Sequence, residues 1–244
     1  MTEQLDVTTS LRYTKLAVQS SYVSMAMPLV NTDVSDNEVT PRVGATYQLG
    51  RGLAAFVGYA EGFKGVVAAF GVTEPIPETS QSYEAGIKLV EPYYGFTGSV
   101  SWFDIARQNV ITPDPSIPFK SIQTGEQTAN GLEFDAVWEP TNSQVSILAS
   151  YALTDATVTA DNSLPLGHQL RAIPKHKGRL AFSYQFAGEL SALRLGAGVT
   201  ITSKRELTLP NSMTVAGNGL VDAQAVRDLG EEQITLSVQN LLNN

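Results

Sequence analysis

His168 and His176 are the only imidazoles in the chain, and no cysteine accompanies them. Thiolate zinc sites, iron–sulfur clusters, disulfides and cysteine nucleophiles are thereby excluded. His168 falls in a long loop stretch and His176 at the start of a strand-like run, and neither has a serine beside it in a nucleophile setting. A solvated loop histidine and a strand-entry histidine account for both. Asp33 with Asp36, and Asp155 with Asp161, lack the Asp-x-Asp-x-Asp-Gly order of a calcium loop, so turn-forming aspartate explains them. Gly50, Arg51 and Gly52 are turn chemistry rather than a phosphate loop. No catalytic residue, metal site or cofactor is expected, and the chain does not read as an enzyme.

What remains is recognition by loops on a scaffold, so the scaffold must be found. At 244 residues and roughly 150 residues per domain, one large domain is the simpler reading. The net charge of −8, from 16 Lys and Arg against 24 Asp and Glu, argues against nucleic acid as a partner. Charged residues make up only 16%, below the roughly 25% of an average soluble domain. The longest apolar runs, near residues 53–60 and 66–72, fall far short of the roughly 18 to 20 residues of a membrane helix. The first residues lack the basic and apolar regions of a secretory signal. Neither fact excludes a membrane β-barrel, whose strands alternate in polarity.

Alternation of period 2 is the dominant pattern. It marks residues 43–49, 53–59, 83–89, 96–102, 132–138, 145–153, 180–186, 193–202 and 234–238, and more weakly 5–13 and 221–225. These read as eleven strands, each with one apolar and one polar face. The polar register holds Gly, Ser and Thr with Arg12, Arg42, Glu84, Lys88, Glu133, Arg179 and Arg194. Between the strands, long gaps at 16–39, 63–78, 107–124, 156–173 and 203–217 alternate with short ones at 50–52, 91–94, 140–143, 187–190 and 229–231. Strict long–short alternation is expected where the two ends of an antiparallel meander face different compartments, as in an outer-membrane barrel. Eight Tyr and Trp residues fall on the apolar register, mostly near strand ends: Tyr13, Tyr47, Tyr59, Tyr83, Trp102, Trp138, Tyr151 and Tyr184. Such rings favour a membrane interface, where the body is apolar and the polar tip finds a partner. Phe70 and Phe119 stand out as apolar residues on long loops, where binding residues concentrate.

Several motifs then occur in a familiar order. They are Pro41-Arg42-Val43-Gly44, Tyr59-Ala60-Glu61-Gly62-Phe63-Lys64, the run from Glu78 to Lys88, and Phe103-Asp104 followed by Asn109-Val110. Downstream come Gln123-Thr124-Gly125-Glu126 with Gly131-Leu132-Glu133, Ile173-Pro174-Lys175-His176, the strand at 193–202, and Val238-Gln239-Asn240-Leu241-Leu242. Together they resemble successive barrel strands of TonB-dependent outer-membrane receptors, above all ferric-siderophore receptors. That resemblance implies an all-β antiparallel up-and-down meander of about 10–11 strands, an incomplete segment of a 22-stranded barrel with a plugged lumen. Residues 1–244 would be the C-terminal part of that barrel, with the plug domain, signal peptide and last strand outside the chain.

The same resemblance implies an outer-membrane location and active transport of a ferric siderophore or similar scarce nutrient, energised through TonB. The siderophore would be cargo rather than cofactor. Partners would be outer-membrane lipid, the missing plug and barrel half, the TonB complex acting through the missing segment, and the ligand, cradled by loop residues such as Phe70 and Phe119. Two alternatives share much of the pattern: a passive porin-like barrel, and a soluble all-β binding module whose apolar faces pack on one another. An incomplete barrel predicts three features: pairing of sequence neighbours only, first and last strands as open edges, and an apolar face with no protein over it.

Overall fold

The computed structural model describes residues 4–24, 27–66, 75–114, 116–117 and 120–243. One sheet of eleven antiparallel strands takes up most of them: β1 (Leu5–Ser24), β2 (Met27–Gly50), β3 (Leu53–Lys64), β4 (Glu78–Tyr93), β5 (Phe96–Pro113), β6 (Ser121–Trp138), β7 (Val145–Ala160), β8 (His176–Gln185) and β9 (Leu193–Thr202) lie in sequence order. A two-residue hairpin follows, β10 (Arg205–Glu206) with β11 (Thr214–Val215), and the sheet resumes with β12 (Asn218–Asp228) and β13 (Gln233–Val238). Each strand pairs with its neighbours in the meander, as expected, and β1 and β13 each pair on one side only. The described residues form no closed barrel.

Register converts the alternation into two faces. One row runs across the sheet through Leu5, Tyr47, Ala55, Ile87, Val100, Phe134, Tyr151, Gly178 and Ile201 as successive Cα partners. Facing partners in an antiparallel pair point to the same side, so these rows define one continuous apolar face. Leu180 and Tyr184 pair with Val199 and Leu195 on that face. Leu180 is 54% exposed and Ile201 61%, and no second layer lies on the sheet among the described residues. Buried apolar residues reduce to a few scattered small ones, among them Val34, Ala54, Val158 and Val226. Such a sheet has no core of its own and needs something else against its apolar side.

The tight turns are built from left-handed residues. Arg51, Tyr94, Asn142, Gly188 and Gly230 each have positive φ, one in each turn. At Tyr94 (φ 51°) and Gly95 (φ 77°) both central residues of a two-residue turn are left-handed, the requirement of the type I′ turn that matches strand twist. Gly95 is doubly constrained, because a Cβ there would also run into the carbonyl oxygen of Glu139.

At the other end the structure corrects the expected strand limits. Much of the gap read as a long loop at 16–39 is strand, since β1 continues to Ser24 and β2 begins at Met27. The ladder persists through Lys15 with Asn37 and Leu16 with Asp36, and the Gln19 amide donates to Asp33 at 3.3 Å. Polar residues here occupy both faces, so the backbone pairing leaves no period-2 signature to read. The gap at 107–124 shrinks likewise, to the stretch between Pro113 and Ser121.

Candidate functional site

Of the sequence-predicted ligand contacts, Phe70 and Phe119 lie outside the described residues. All seven aromatics expected at an interface, Tyr13, Tyr47, Tyr59, Trp102, Trp138, Tyr151 and Tyr184, share the apolar face, and Tyr83 joins them. Tyr59 and Tyr83 pack with ring centroids 5.0 Å apart. Tyr47, Trp138 and Tyr184 sit two or three residues from tight turns, whereas Tyr13, Tyr59 and Trp102 sit at the far end of their apolar runs. The next residues on the same face there are Lys15, Glu61 and Asp104; on β7, Tyr151 is followed by Leu153 and then Asp155. The apolar band therefore has a defined polar border on the long-loop side.

The opposite face is polar, and shallow depressions open on it. One polar cluster within the sheet spans three strands. Arg179 on β8 donates to Thr200 on β9 at 2.8 Å and to Asp222 on β12 at 3.3 Å, and Asp222 also accepts the Asn240 N–H at 3.2 Å. Glycine leaves the floor open, since a Cβ at Gly198 would lie 2.9 Å from the Arg179 guanidinium. The depression beside it holds about 390 Å³. Elsewhere on this face the tips of large rings reach over glycines: Phe56 at Gly86, and Phe103 at Gly131. Lys88 extends above the Phe56 ring, 5.7 Å from its centroid, in cation–π range.

A second cluster lies at the long-loop end. Glu78, whose side chain is only 9% exposed, accepts Arg107 at 2.6 Å and Lys64 at 3.2 Å, and Arg107 reaches Gln127 at 3.2 Å. Two cations on one carboxylate leave a net positive charge on a surface facing the polar side. Beyond β5, Asp114 caps the hairpin to β6 by accepting the N–H groups of Ser116 (2.8 Å) and Ile117 (3.3 Å). The Ser116 N–H, helped by Lys120 and Ile117, holds the Asp114 carboxyl below the usual carboxylate range.

The remaining loop base uses amide side chains. Asn211 brackets the backbone of Gln169, accepting its N–H and donating to its carbonyl, both at 2.8 Å, while the Asn211 N–H donates to His168 Nδ1 at 3.1 Å. His176 instead meets the Tyr151 hydroxyl at 2.8 Å. The two imidazoles thus serve different structural contacts. Asp161 folds its own turn by accepting from Ser163 and Leu164, and Asp33 meets Gln19, so one member of each acidic pair is occupied locally, while Asp36 keeps a buried oxygen without a hydrogen-bond partner. Among the described residues no three metal-ligating side chains come together. The Glu78 and Asn211 contacts carried no sequence signal, because each joins residues far apart in the chain through ordinary polar side chains.

Residues 1–241 match the family described as TonB dependent receptor-like, beta-barrel. The chain belongs to that family. Its members are receptors and transporters rather than enzymes, which places this chain in the outer membrane. The metal-pseudopaline receptor CntO of Pseudomonas aeruginosa is 33% identical over 172 residues, covering 68% of this chain and 24% of the relative. The ferrichrome outer membrane transporter/phage receptor of Escherichia coli K12 is 29% identical over 216 residues, 85% of this chain and 28% of the relative. This chain therefore spans about a quarter of the length of these relatives. Among solved structures, the siderophore receptor PiuA from Acinetobacter baumannii superposes with a TM-score of 0.86 at 20% identity, covering 99% of this chain and 37% of that one. The ferric yersiniabactin uptake receptor FyuA from Yersinia pestis gives 0.81 at 18% identity, over 100% and 39%. The fold of this TonB-dependent receptor segment is thus an incomplete stretch of a larger barrel wall.

Proposed function

We propose that this segment forms part of the wall of an outer-membrane active transporter for ferric siderophores or a similarly scarce nutrient, energised through TonB. One observation carries the reading: a single continuous sheet has an apolar band across one side, while Arg42, Glu84, Lys88, Arg179 and the depressions lie on the other. In a barrel the apolar side faces lipid and the polar side faces a lumen. The relatives' names point to chelated metal as the class of cargo, with metal-pseudopaline in one and ferrichrome in the other.

Tyr47, Trp138 and Tyr184 form the interfacial belt beside the tight, periplasmic turns. Tyr13, Tyr59, Trp102 and Tyr151 form the belt beside the long, extracellular connections. Along the strands, Trp138 lies six positions beyond Leu132 and Leu153 eight beyond Val145, about 20 and 27 Å of strand, which at a tilt of about 35–45° covers about 14 to 22 Å, most of the roughly 25 Å apolar band of such barrels. Ligand contact belongs to the extracellular connections that carry Phe70 and Phe119. The open edges of β1 and β13 suit pairing with the rest of a barrel, and lumen charges such as Arg42, Glu84, Lys88 and Arg179 suit a polar plug domain.

Uptake of radioiron-loaded siderophores by cells that lack their own receptors, and express the complete receptor containing this segment, tests the proposal. Uptake that stops when TonB is deleted is the expected result. Uptake that persists without TonB would make the protein a passive pore, and no uptake with any chelate would remove the transport reading.

A further inference from the structure

The chain returns from the β3–β4 connection through Pro75, Ile76 and Pro77 before entering β4 at Glu78. Two of these three residues lack an N–H, so Ile76 carries the one backbone donor in the tripeptide. That donor and its own carbonyl are both taken by a single side chain on β6. Gln123 accepts the Ile76 N–H at 2.8 Å and donates to the Ile76 carbonyl at 2.6 Å. A primary amide making both bonds reproduces what a neighbouring strand would offer, in a segment too proline-rich to join a ladder.

Gln123 does not sit on the strand next to β4. It reaches across β5, and it can do so because β5 is bulged between Arg107 and Val110. Asn109 occupies that bulge at φ 59°, and bulges of this kind re-aim side chains. Its carbonyl accepts the second hydrogen of the Gln123 amide at 3.2 Å, and its own amide donates to the Pro77 carbonyl at 3.0 Å. Beneath them, Glu78 binds Arg107 of β5 and Lys64 of β3. The base of the β3–β4 connection is therefore fastened to the β5–β6 hairpin by side chains.

We propose that Gln123 and Asn109 are positioning residues that make the base of the β3–β4 connection and the β5–β6 hairpin one mechanical unit. Two adjacent extracellular elements then meet a ligand in a fixed relation. The ligand part rests on the transport reading above; the coupling part does not. The bracketing of Gln169 by Asn211 is the same device at another loop base.

Hydrogen exchange on the complete receptor in a bilayer tests the coupling without any ligand, since Ile76 supplies the only exchanging backbone amide of residues 75–77. Gln123→Ala removes both bonds to Ile76 and is expected to speed exchange there by about tenfold or more. Exchange at Ser116, Ile117 and Lys120 of the hairpin should speed up as well. Gln123→Glu keeps an acceptor for the Ile76 N–H but no donor, so it should protect Ile76 better than Gln123→Ala. Faster exchange at Ile76 with an unchanged hairpin would overturn the coupling, as would an unchanged Ile76. For a ferric siderophore that the wild type takes up, Gln123→Ala should raise the half-saturating concentration about fivefold with little change in maximal rate. An unaltered half-saturation beside a loosened hairpin would overturn the ligand part. If no siderophore is taken up by the wild type, the transport reading fails while the exchange result stands.

Discussion

Val100→Arg is expected to destabilise the membrane-inserted protein by about 2 to 4 kcal/mol, the cost of a cation on the lipid side of a barrel near the bilayer midplane. Val100 pairs with Ile87 and Phe134 in the middle of the apolar face and is 49% exposed. Ser99, its neighbour in β5, points to the polar side between Lys88 and Asp135. Ser99→Arg should stay within about 0.5 kcal/mol, the usual range for a surface change, with Asp135 available as its partner. Denaturant titration in vesicles gives both numbers from midpoint and slope. The contrast also decides between environments, because a half-exposed valine facing water would tolerate arginine as readily as the serine does. Equal, small effects at 99 and 100 would place water on both sides of the sheet.

Gly131→Val should be the other severe change. Gly131 lies where the Phe103 ring folds over β6, and a Cβ there would meet that ring at 3.0 Å and run into the carbonyl oxygen of Leu153. The carbonyl belongs to the β6–β7 ladder and cannot retreat without breaking its pairing. A cost of about 3 kcal/mol follows, at the upper end for overpacking, and refolding yield should fall with it. Gly58 supplies the control. It lies on the same polar side, in β3, with nothing within 4 Å of an added Cβ, and the strand preference of valine makes Gly58→Val neutral or better. A mild Gly131→Val would show that the Leu153 carbonyl can retreat from β6 without loss of the ladder.

The contrast between these two glycines marks what a sequence can reveal. Alternation at residues 180–186 and 193–202 fixed which side each side chain takes, because an error of one residue would exchange the faces entirely. The tight turns were legible for a related reason: Gly50, Gly52, Gly95, Gly188 and Gly230 supply positive φ where the chain reverses. Once β1 passes Tyr13 and β2 lies before Val39, polar and apolar residues mix on both registers, as at Leu16, Val18 and Val34, and the alternation vanishes, although the ladder continues to Ser24 and from Met27. Strand ends beyond an apolar band are therefore read as loop. The Gln123 bracket is invisible for a different reason. It depends on the bulge at Asn109 and on proximity across β5, and neither glutamine nor asparagine announces such a contact. The aromatic belts lie between these cases, since their common face follows from register while their heights need the turns to be located first.

The central claim is that the apolar face of this sheet lies against lipid, and the two tryptophans of the chain report on it directly. Trp102 and Trp138 both point to that face, with Trp102 at its loop-side border and Trp138 two residues before the turn at Pro140. Their fluorescence should be measured in bilayers carrying bromine at defined depths on the acyl chains, with aqueous iodide as the opposing quencher. Strong quenching of both by lipid bromine, greatest for labels near the interfaces, and weak quenching by iodide is the predicted result. Emission quenched by iodide and untouched by brominated lipid would contradict the account, because it would put the apolar face in water or against protein.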